Sequence, residues 1–215
     1  MHKRASSRNI NVAQATKLIL KQVLATNILV LSFAVPVTAG PLEDSRAAYE
    51  HGDFATAMRL FRSLAEHGNA IAQYNLGVMY YKGDGVSQSY PLAASWYRLA
   101  AWQGDASAQL GLGVLCYNGQ GTLQSYTEAL TWFRQAADQG SVQAQINLGA
   151  MYANGQGAPQ DYIQAHMWLS LAAAKSETRA VELRNAVAAK MTAAQIAESQ
   201  KLAREWKPTK QPPPR

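Results

Sequence analysis

The sequence predicts an all-α protein, a solenoid of stacked helical hairpins closed at its C-terminal end by capping helices. Its first support is a 36-residue period: Ala72-Gln73, Ala108-Gln109 and Ala144-Gln145 recur at that spacing, as do Leu76-Gly77, Leu112-Gly113 and Leu148-Gly149. A repeat of this length marks units that cannot bury their apolar faces alone and must stack. The second support is a register of small and bulky residues: Tyr90/Tyr126/Tyr162, Ala93/Ala129/Ala165, Trp96/Trp132/Trp168 and Ala100/Ala136/Ala172. The third is a glycine pair between two helical runs in every unit, at Gly83/Gly85, Gly119/Gly121 and Gly155/Gly157.

Three full units follow, over 69–104, 105–140 and 141–176. Asn69, Asp105 and Ser141 are placed to cap the first helix of each, offering a side-chain oxygen to the orphan N–H groups of the first turn. Ala72, Leu76 and Tyr80 then form an apolar stripe. Gly77 lies beside it in mid-helix, where glycine costs about 1 kcal/mol relative to alanine. Its threefold recurrence predicts a neighbouring helix too close to leave room for a side chain. The glycine pair ends the helix, a connection of roughly seven residues follows, and Ser89, Ser125 and Asp161 cap the second helix. Pro91 is tolerated in that helix's first turn. Ala93, Trp96, Ala100 and Ala101 make its buried face, with the indole filling the wedge between hairpins.

Upstream, Phe54, Ala57, Leu60, Leu64, Ala65 and Gly68 match the second helix at the same spacing. A degenerate hairpin is therefore predicted over 40–68, its first helix at about 42–51 and its joint at Gly52-Asp53. Downstream, one helix is expected from Glu177 to Lys190 and another opened by a Thr192/Gln195 capping box and running to about Trp206. Ile196, Leu202 and Trp206 give the last helix a side to lay over the final hairpin, covering an otherwise exposed core. The four prolines of 207–215 predict a loose tail.

Composition narrows the function classes. The formal net charge of +6 is concentrated in Lys3, Arg4, Arg8, Lys17 and Lys21, which leaves 15 basic against 14 acidic side chains elsewhere. No basic stripe interleaved with aromatics runs along the repeats, which argues against nucleic acid. The basic leader precedes an apolar run from Ile28 to Val37 and the small residues Thr38-Ala39-Gly40, the pattern of an export signal cut after Ala39. A run of ten residues is too short to cross ~30 Å of hydrocarbon as a helix. An uncleaved anchor using the Val12–Leu24 stretch, or an unstructured start on a cytosolic protein, stays open. Cys116 is the only cysteine, in the slot of Tyr80 and Tyr152, and reads as a buried small hydrophobe.

Ala72 through Tyr80, the Gly83-Asp84-Gly85-Val86 turn, and Ala93 through Trp96 to Ala101 resemble the Sel1-like repeat family, a relative of the tetratricopeptide (TPR) repeats. The second and third units resemble it in the same order, and the helices around Lys190–Ala197 are similar to the ending of many small bacterial members. Cys116 departs from a usual tyrosine. The resemblance implies a right-handed α/α solenoid of Sel1-like and TPR-like hairpins, with the degenerate hairpin closest to a TPR. It further implies an interaction scaffold without catalytic residues or cofactors, binding another protein. The exported setting points to a periplasmic or secreted place in a bacterial envelope, with an inner-membrane anchor as the variant.

The stripe opposite the repeated one on the first helices is the candidate binding face: Ile71, Asn75, Val78 and Lys82; Ser107, Gly111, Val114 and Asn118; Gln143, Asn147, Ala150 and Asn154. Amides, small residues and few charges suit a peptide or helix held by hydrogen bonds and modest apolar contact. The alternative is glycan or peptidoglycan, stacked on Tyr81, Tyr97, Trp102 or Tyr117. Enzyme and metal chemistry lack support. His51 and His67 stand 16 apart, no zinc-helix pair or phosphate loop occurs, and Gly83-Asp84-Gly85 has one acid where calcium needs several. His166 reads as a surface or partly packed histidine.

Overall fold

The computed structural model describes residues 40–209, so the expected export leader and the end of the proline-rich tail lie outside the described residues. Within them the chain forms ten helices. A short hairpin, α1 (Pro41–Glu50) and α2 (Phe54–Glu66), precedes three longer ones: α3 (Ala70–Lys82) with α4 (Tyr90–Trp102), α5 (Ala106–Asn118) with α6 (Tyr126–Asp138), and α7 (Val142–Asn154) with α8 (Tyr162–Ala173). The helices α9 (Thr178–Ala188) and α10 (Ala193–Glu205) close the array. Each helix up to α9 packs chiefly on its neighbours in sequence, whereas α10 returns to α8. This is the all-α solenoid of hairpins that the period predicts.

The mid-helix glycines explain the tightness of each hairpin. A Cβ on Gly77 would run into the ring of Tyr97, one on Gly113 would lie 2.7 Å from Phe133, and one on Gly149 would lie 2.7 Å from Leu169. Tyr97, Phe133 and Leu169 are themselves 36 residues apart, so each first helix carries a seat for one large side chain of its partner helix. The helix propensity lost at glycine is offset by apolar burial of about 1.5–3 kcal/mol per large side chain. Gly111, outside the repeat register, also serves this packing, because an added Cβ would meet the other edge of Tyr97 at 2.9 Å.

Trp168 is fully buried, Trp132 nearly so and Trp96 half-buried, each within the apolar layer between hairpins. The Trp168 indole meets Trp206 edge-on at 6.1 Å and carries the Arg134 guanidinium over its ring at 5.1 Å, an arrangement that favours the cation electrostatically. Its Nε1 is buried without a hydrogen-bond partner among the described residues; nothing in the structure accounts for it. The one ion pair among the described residues, Lys201–Glu205, is exposed, so packing rather than charge pairing holds the array together.

The loops repeat as faithfully as the helices. The backbone N–H groups of Ser89, Ser125 and Asp161 donate to the carbonyls of Tyr80, Cys116 and Tyr152 at 2.8, 2.9 and 3.0 Å. Gly121 sits against the backbone of Tyr90 and Pro91 at a φ of +68°, a conformation and an approach that only glycine permits.

Asn69 and Asp105 cap their helices as expected, accepting from Ala72 N and Ala108 N at 2.9 and 2.7 Å. Ser141 does not: it makes no side-chain cap hydrogen bond. All three residues have φ near −60°, where the Asn and Asp oxygens reach the third N–H and the shorter serine hydroxyl does not. Ser89 and Ser125 do cap, from a φ near −150°. The Thr192/Gln195 capping box forms. The start of the tail is tethered, Thr209 N donating to Asp138 O at 2.8 Å.

Candidate interaction surface

The predicted binding residues divide into two groups. Ser107, Gly111 and Val114 of α5 line a depression of about 280 Å³ together with Tyr74, Tyr81, Tyr97 and Leu110. Val114 also borders a second depression of about 240 Å³, lined by Asn118, Asn147, Ala150, Asn154, Tyr117, Gln156 and Arg179 among others. Val114 lines both, so the two depressions adjoin at that side chain along the first helices of the second and third units, and together they are the trough. The remaining candidates do not line it. Asn75 turns its amide back to Ile71 O at 2.8 Å, and Lys82 donates to Tyr49 Oη at 3.2 Å while Tyr49 donates to Asp84 at 2.6 Å. Ile71 and Val78 are half-buried, and the exposed Gln143 donates to Asn147 Oδ1 at 3.2 Å.

The walls of the trough are aromatic in a way the stripe did not anticipate. Tyr74 lies on the same helix face as Leu110 and Ile146, one residue off the predicted stripe. Its ring stacks on Tyr97 with centroids 5.8 Å apart. Tyr117 exchanges hydrogen bonds with the Gln156 side chain at 3.0 and 3.2 Å, bridging two units across the floor. Of the aromatics considered for sugar stacking, Tyr97 is buried, and burial pushes its hydroxyl pKa well above the usual tyrosine range. Tyr81 and Tyr117 lean on Tyr90 and Tyr126 at 5.5 and 5.1 Å. Only Trp102 stands free, 70% exposed on α4, away from the trough. No carboxylate lines either depression; Arg179 supplies the only formal charge.

A row of glutamines that the sequence reading left without a role holds the unit junctions. Gln73, Gln109 and Gln145 are buried and donate through Nε2 to the carbonyls of Ala65, Ala101 and Ala137, in the last turn of the preceding second helix. Gln103 and Gln139 in turn donate to the Oε1 atoms of Gln73 and Gln109 at 2.6 and 2.7 Å. A buried amide is stable only when paired, and these pairs fix the spacing between units. Their signal was the invariant Ala-Gln dipeptide. A second row, Gln88, Gln124 and Gln160, ties each loop to the carbonyls of Tyr81, Tyr117 and Ala153.

Cys116 and His166 are both buried. Cys116 is fully buried, and desolvation, aided by Glu128, pushes its thiol up to about 11, so it stays a neutral thiol. His166, expected as a surface or partly packed histidine, is buried, because α10 covers it: Nδ1 lies 2.8 Å from Ser199 Oγ and 3.4 Å from Ser170 Oγ. Burial and the charge of Arg184 hold its pKa below the usual histidine value. Among the described residues no group of three or more His, Cys, Asp or Glu is placed to hold a metal.

An α/α array of tight hairpins, with a trough lined by aromatic, aliphatic and amide side chains and no metal-binding cluster among the described residues, defines the class of helical-repeat interaction scaffolds. The Sel1 repeat matches residues 70–105, 106–141 and 142–177, half of the chain, and the protein belongs to that family. Among the similar solved structures are two bacterial proteins. A protective antigen present in uropathogenic Escherichia coli strains and displaying an SLR fold is 30% identical, with a TM-score of 0.67, over 77% of this chain and 40% of that one. A Sel1 repeat protein from Oxalobacter formigenes is 32% identical, with a TM-score of 0.62, over 65% of this chain and 57% of that one. The chain thus spans about half the length of these relatives. No curated protein matches it. Fold and family are of the non-catalytic scaffold type, and the general role they carry is protein–protein interaction.

Proposed function

We propose that this protein is an adaptor of the bacterial envelope that holds an extended segment of another protein in the trough between Tyr74 and Asn154. The carrying observation is that the two depressions adjoin at Val114, which sets them end to end along the first helices. Tyr74, Leu110 and Val114 offer apolar contact at one end; Asn118, Asn147 and Asn154 offer amides that pair with a peptide backbone at the other. Main-chain hydrogen bonds with pockets for alternate side chains are a general way to grip an extended segment. Glycan binding has less support, because Tyr97 is buried, Tyr81 and Tyr117 are engaged with other tyrosines, and the exposed Trp102 is left as a single free ring. The envelope setting rests on the leader, read as an export signal cut after Ala39, and on the likeness to a protein described as a protective antigen. No helix among the described residues is long and apolar enough to cross a membrane.

Photo-crosslinking in the native cell tests the trough. A crosslinker at Asn147 is expected to capture a partner that one at the exposed Glu182 does not, and Val114→Arg is expected to abolish the capture. Equal capture from both positions, or capture indifferent to Val114→Arg, would count against the trough. N-terminal sequencing of the protein recovered from the periplasm tests the setting, with Gly40 as the expected first residue.

A further inference from the structure

The cap gives the trough a charge that the repeats do not supply. Arg179 stands in the first turn of α9, beyond the residues 142–177 that match the third repeat. Its neighbour fixes that turn: Ala180 is fully buried in one cluster with Ile146 of α7 and Ala172 of α8. From there the exposed Arg179 side chain lines the depression of about 240 Å³ with Asn118, Asn147 and Asn154. A guanidinium is all donor, with no acceptor to offer. Its nearest acidic neighbours along the chain, Glu177 and Glu182, do not pair with it, Lys201–Glu205 being the one ion pair among the described residues.

The other polar groups of this depression are partly spent on one another. Tyr117 and Gln156 exchange hydrogen bonds, Asn118 Nδ2 donates to Gln120 Oε1 at 3.2 Å, and Asn147 Oδ1 accepts from Gln143 at 3.2 Å. What remains is weighted towards donors: the Arg179 fork and the Nδ2 groups of Asn147 and Asn154. The adjoining depression carries no charge and is walled by Tyr74, Tyr97, Leu110 and Val114. The trough therefore has an apolar end and a cationic, donor-rich end.

We infer that the segment held in the trough carries an aspartate or glutamate side chain, seated between Arg179 and the amides of Asn147 and Asn154. This rests on the trough reading above and adds the chemistry of the partner. A planar guanidinium matches the two oxygens of a carboxylate, and amide N–H groups serve the lone pairs it leaves. No acidic side chain lines either depression to compete for the arginine, and a cationic partner residue is repelled at the same place. The amides stand on both α5 and α7, so the main chain is gripped across the depression and the acid is a side chain rather than the chain end. The apolar end sets a second requirement, a hydrophobic residue elsewhere in the same segment.

Random nonapeptide pools, acetylated and amidated at their ends and with one position fixed in turn as each amino acid, are the probe. They are passed over the immobilised protein. Pools with aspartate or glutamate fixed at an interior position are expected to be retained about 10-fold better than those with asparagine or glutamine there, the scale of a hydrogen bond to a charged group. Arg179→Gln is expected to erase that preference and to keep the preference for an apolar residue at another position. Arg204→Gln removes the same charge from an exposed site on α10 and is expected to change neither. Helical circular dichroism verifies that both variants fold. Retention without a preference for acid, or an acid preference indifferent to Arg179→Gln, overturns this inference and leaves the trough standing. So does a preference only for pools with a free C-terminal carboxylate. Retention of no pool overturns the trough and this inference together.

Discussion

The array and its cap are two solutions to one problem, the burial of an apolar helix face. Between α3 and α8 the solution is periodic: a glycine in the first helix receives a large side chain from the second, and a buried glutamine pins each unit to the one before. At the junction with α10 nothing repeats. A histidine meets a serine, and two indoles meet edge to face. The array has spread its tolerances over equivalent seats, whereas the cap depends on single contacts. Disturbing one seat should therefore damage a whole hairpin, while disturbing the cap should loosen one end.

The largest effect is expected at the central seat. Gly113→Val places a branched side chain where a Cβ alone already lies 2.7 Å from Phe133, in a hairpin buried on both sides. Overpacking of this kind costs about 1–3 kcal/mol, and the β-branched residue has no room to turn away. We expect a loss of about 3 kcal/mol in urea denaturation. Phe133→Ala on the Gly113→Val background should recover part of it, since residues in contact are not additive. A loss below about 1 kcal/mol would show that the seat can relax.

Next comes Gln109→Leu. It removes donors serving Ala101 O and Gln135 Oε1 and the acceptor for Gln139. Stranding buried polar groups costs roughly 1–3 kcal/mol, so about 2 kcal/mol is expected, and less at Gln145, whose bond to Ala137 O is longer at 3.4 Å. Equal losses at the two sites would break the idea that the glutamine pairs are cumulative.

Periodicity explains what could and could not be read from the chain. The seats were legible because glycine in mid-helix is a propensity loss that only close packing repays, and it recurs in register. The glutamines repeat just as strictly, yet a lone polar residue beside an apolar stripe also suits an exposed edge. Their burial follows from where the preceding helix ends, which is a tertiary fact. The trough was half legible: Ser107, Gly111, Val114, Asn118, Asn147, Ala150 and Asn154 line it, but Tyr74 and Arg179 come from off the stripe and from the cap. His166 could not be placed, because α10 arrives from 33 residues away along the chain and outside the period.

At the cap the expected effect is pH-dependent. His166 is buried with its pKa lowered, first by desolvation and then by Arg184, and its close polar neighbours Ser170 and Ser199 are uncharged. The folded cap therefore keeps histidine neutral. Stability is fully present above the unfolded value near 6.5. It falls as pH drops below that value, where the unfolded chain takes up a proton that the folded cap resists. Hydrogen exchange should show α10 losing protection as pH falls below about 6.5, with α5 unaffected, and His166→Gln should flatten the change. Equal loosening of α5 and α10 would mean that the cap is not a separate weak point.

The smallest effect sharpens the comparison from inside the array. Ser141 starts α7 with the same backbone as Asn69 and Asp105 but leaves the first turn without a side-chain partner. Ser141→Asn should supply the oxygen that Asn69 presents to Ala72 N at 2.9 Å, on a backbone that already accepts asparagine in the first unit. A cap is worth about 0.5–2 kcal/mol, and here the backbone conformation is in place and the position half-exposed, so a gain near the lower limit is expected. It should appear as a higher urea midpoint at unchanged slope. No gain would mean that water already satisfies the α7 terminus, and that the seats and glutamines, not the caps, make the units equivalent.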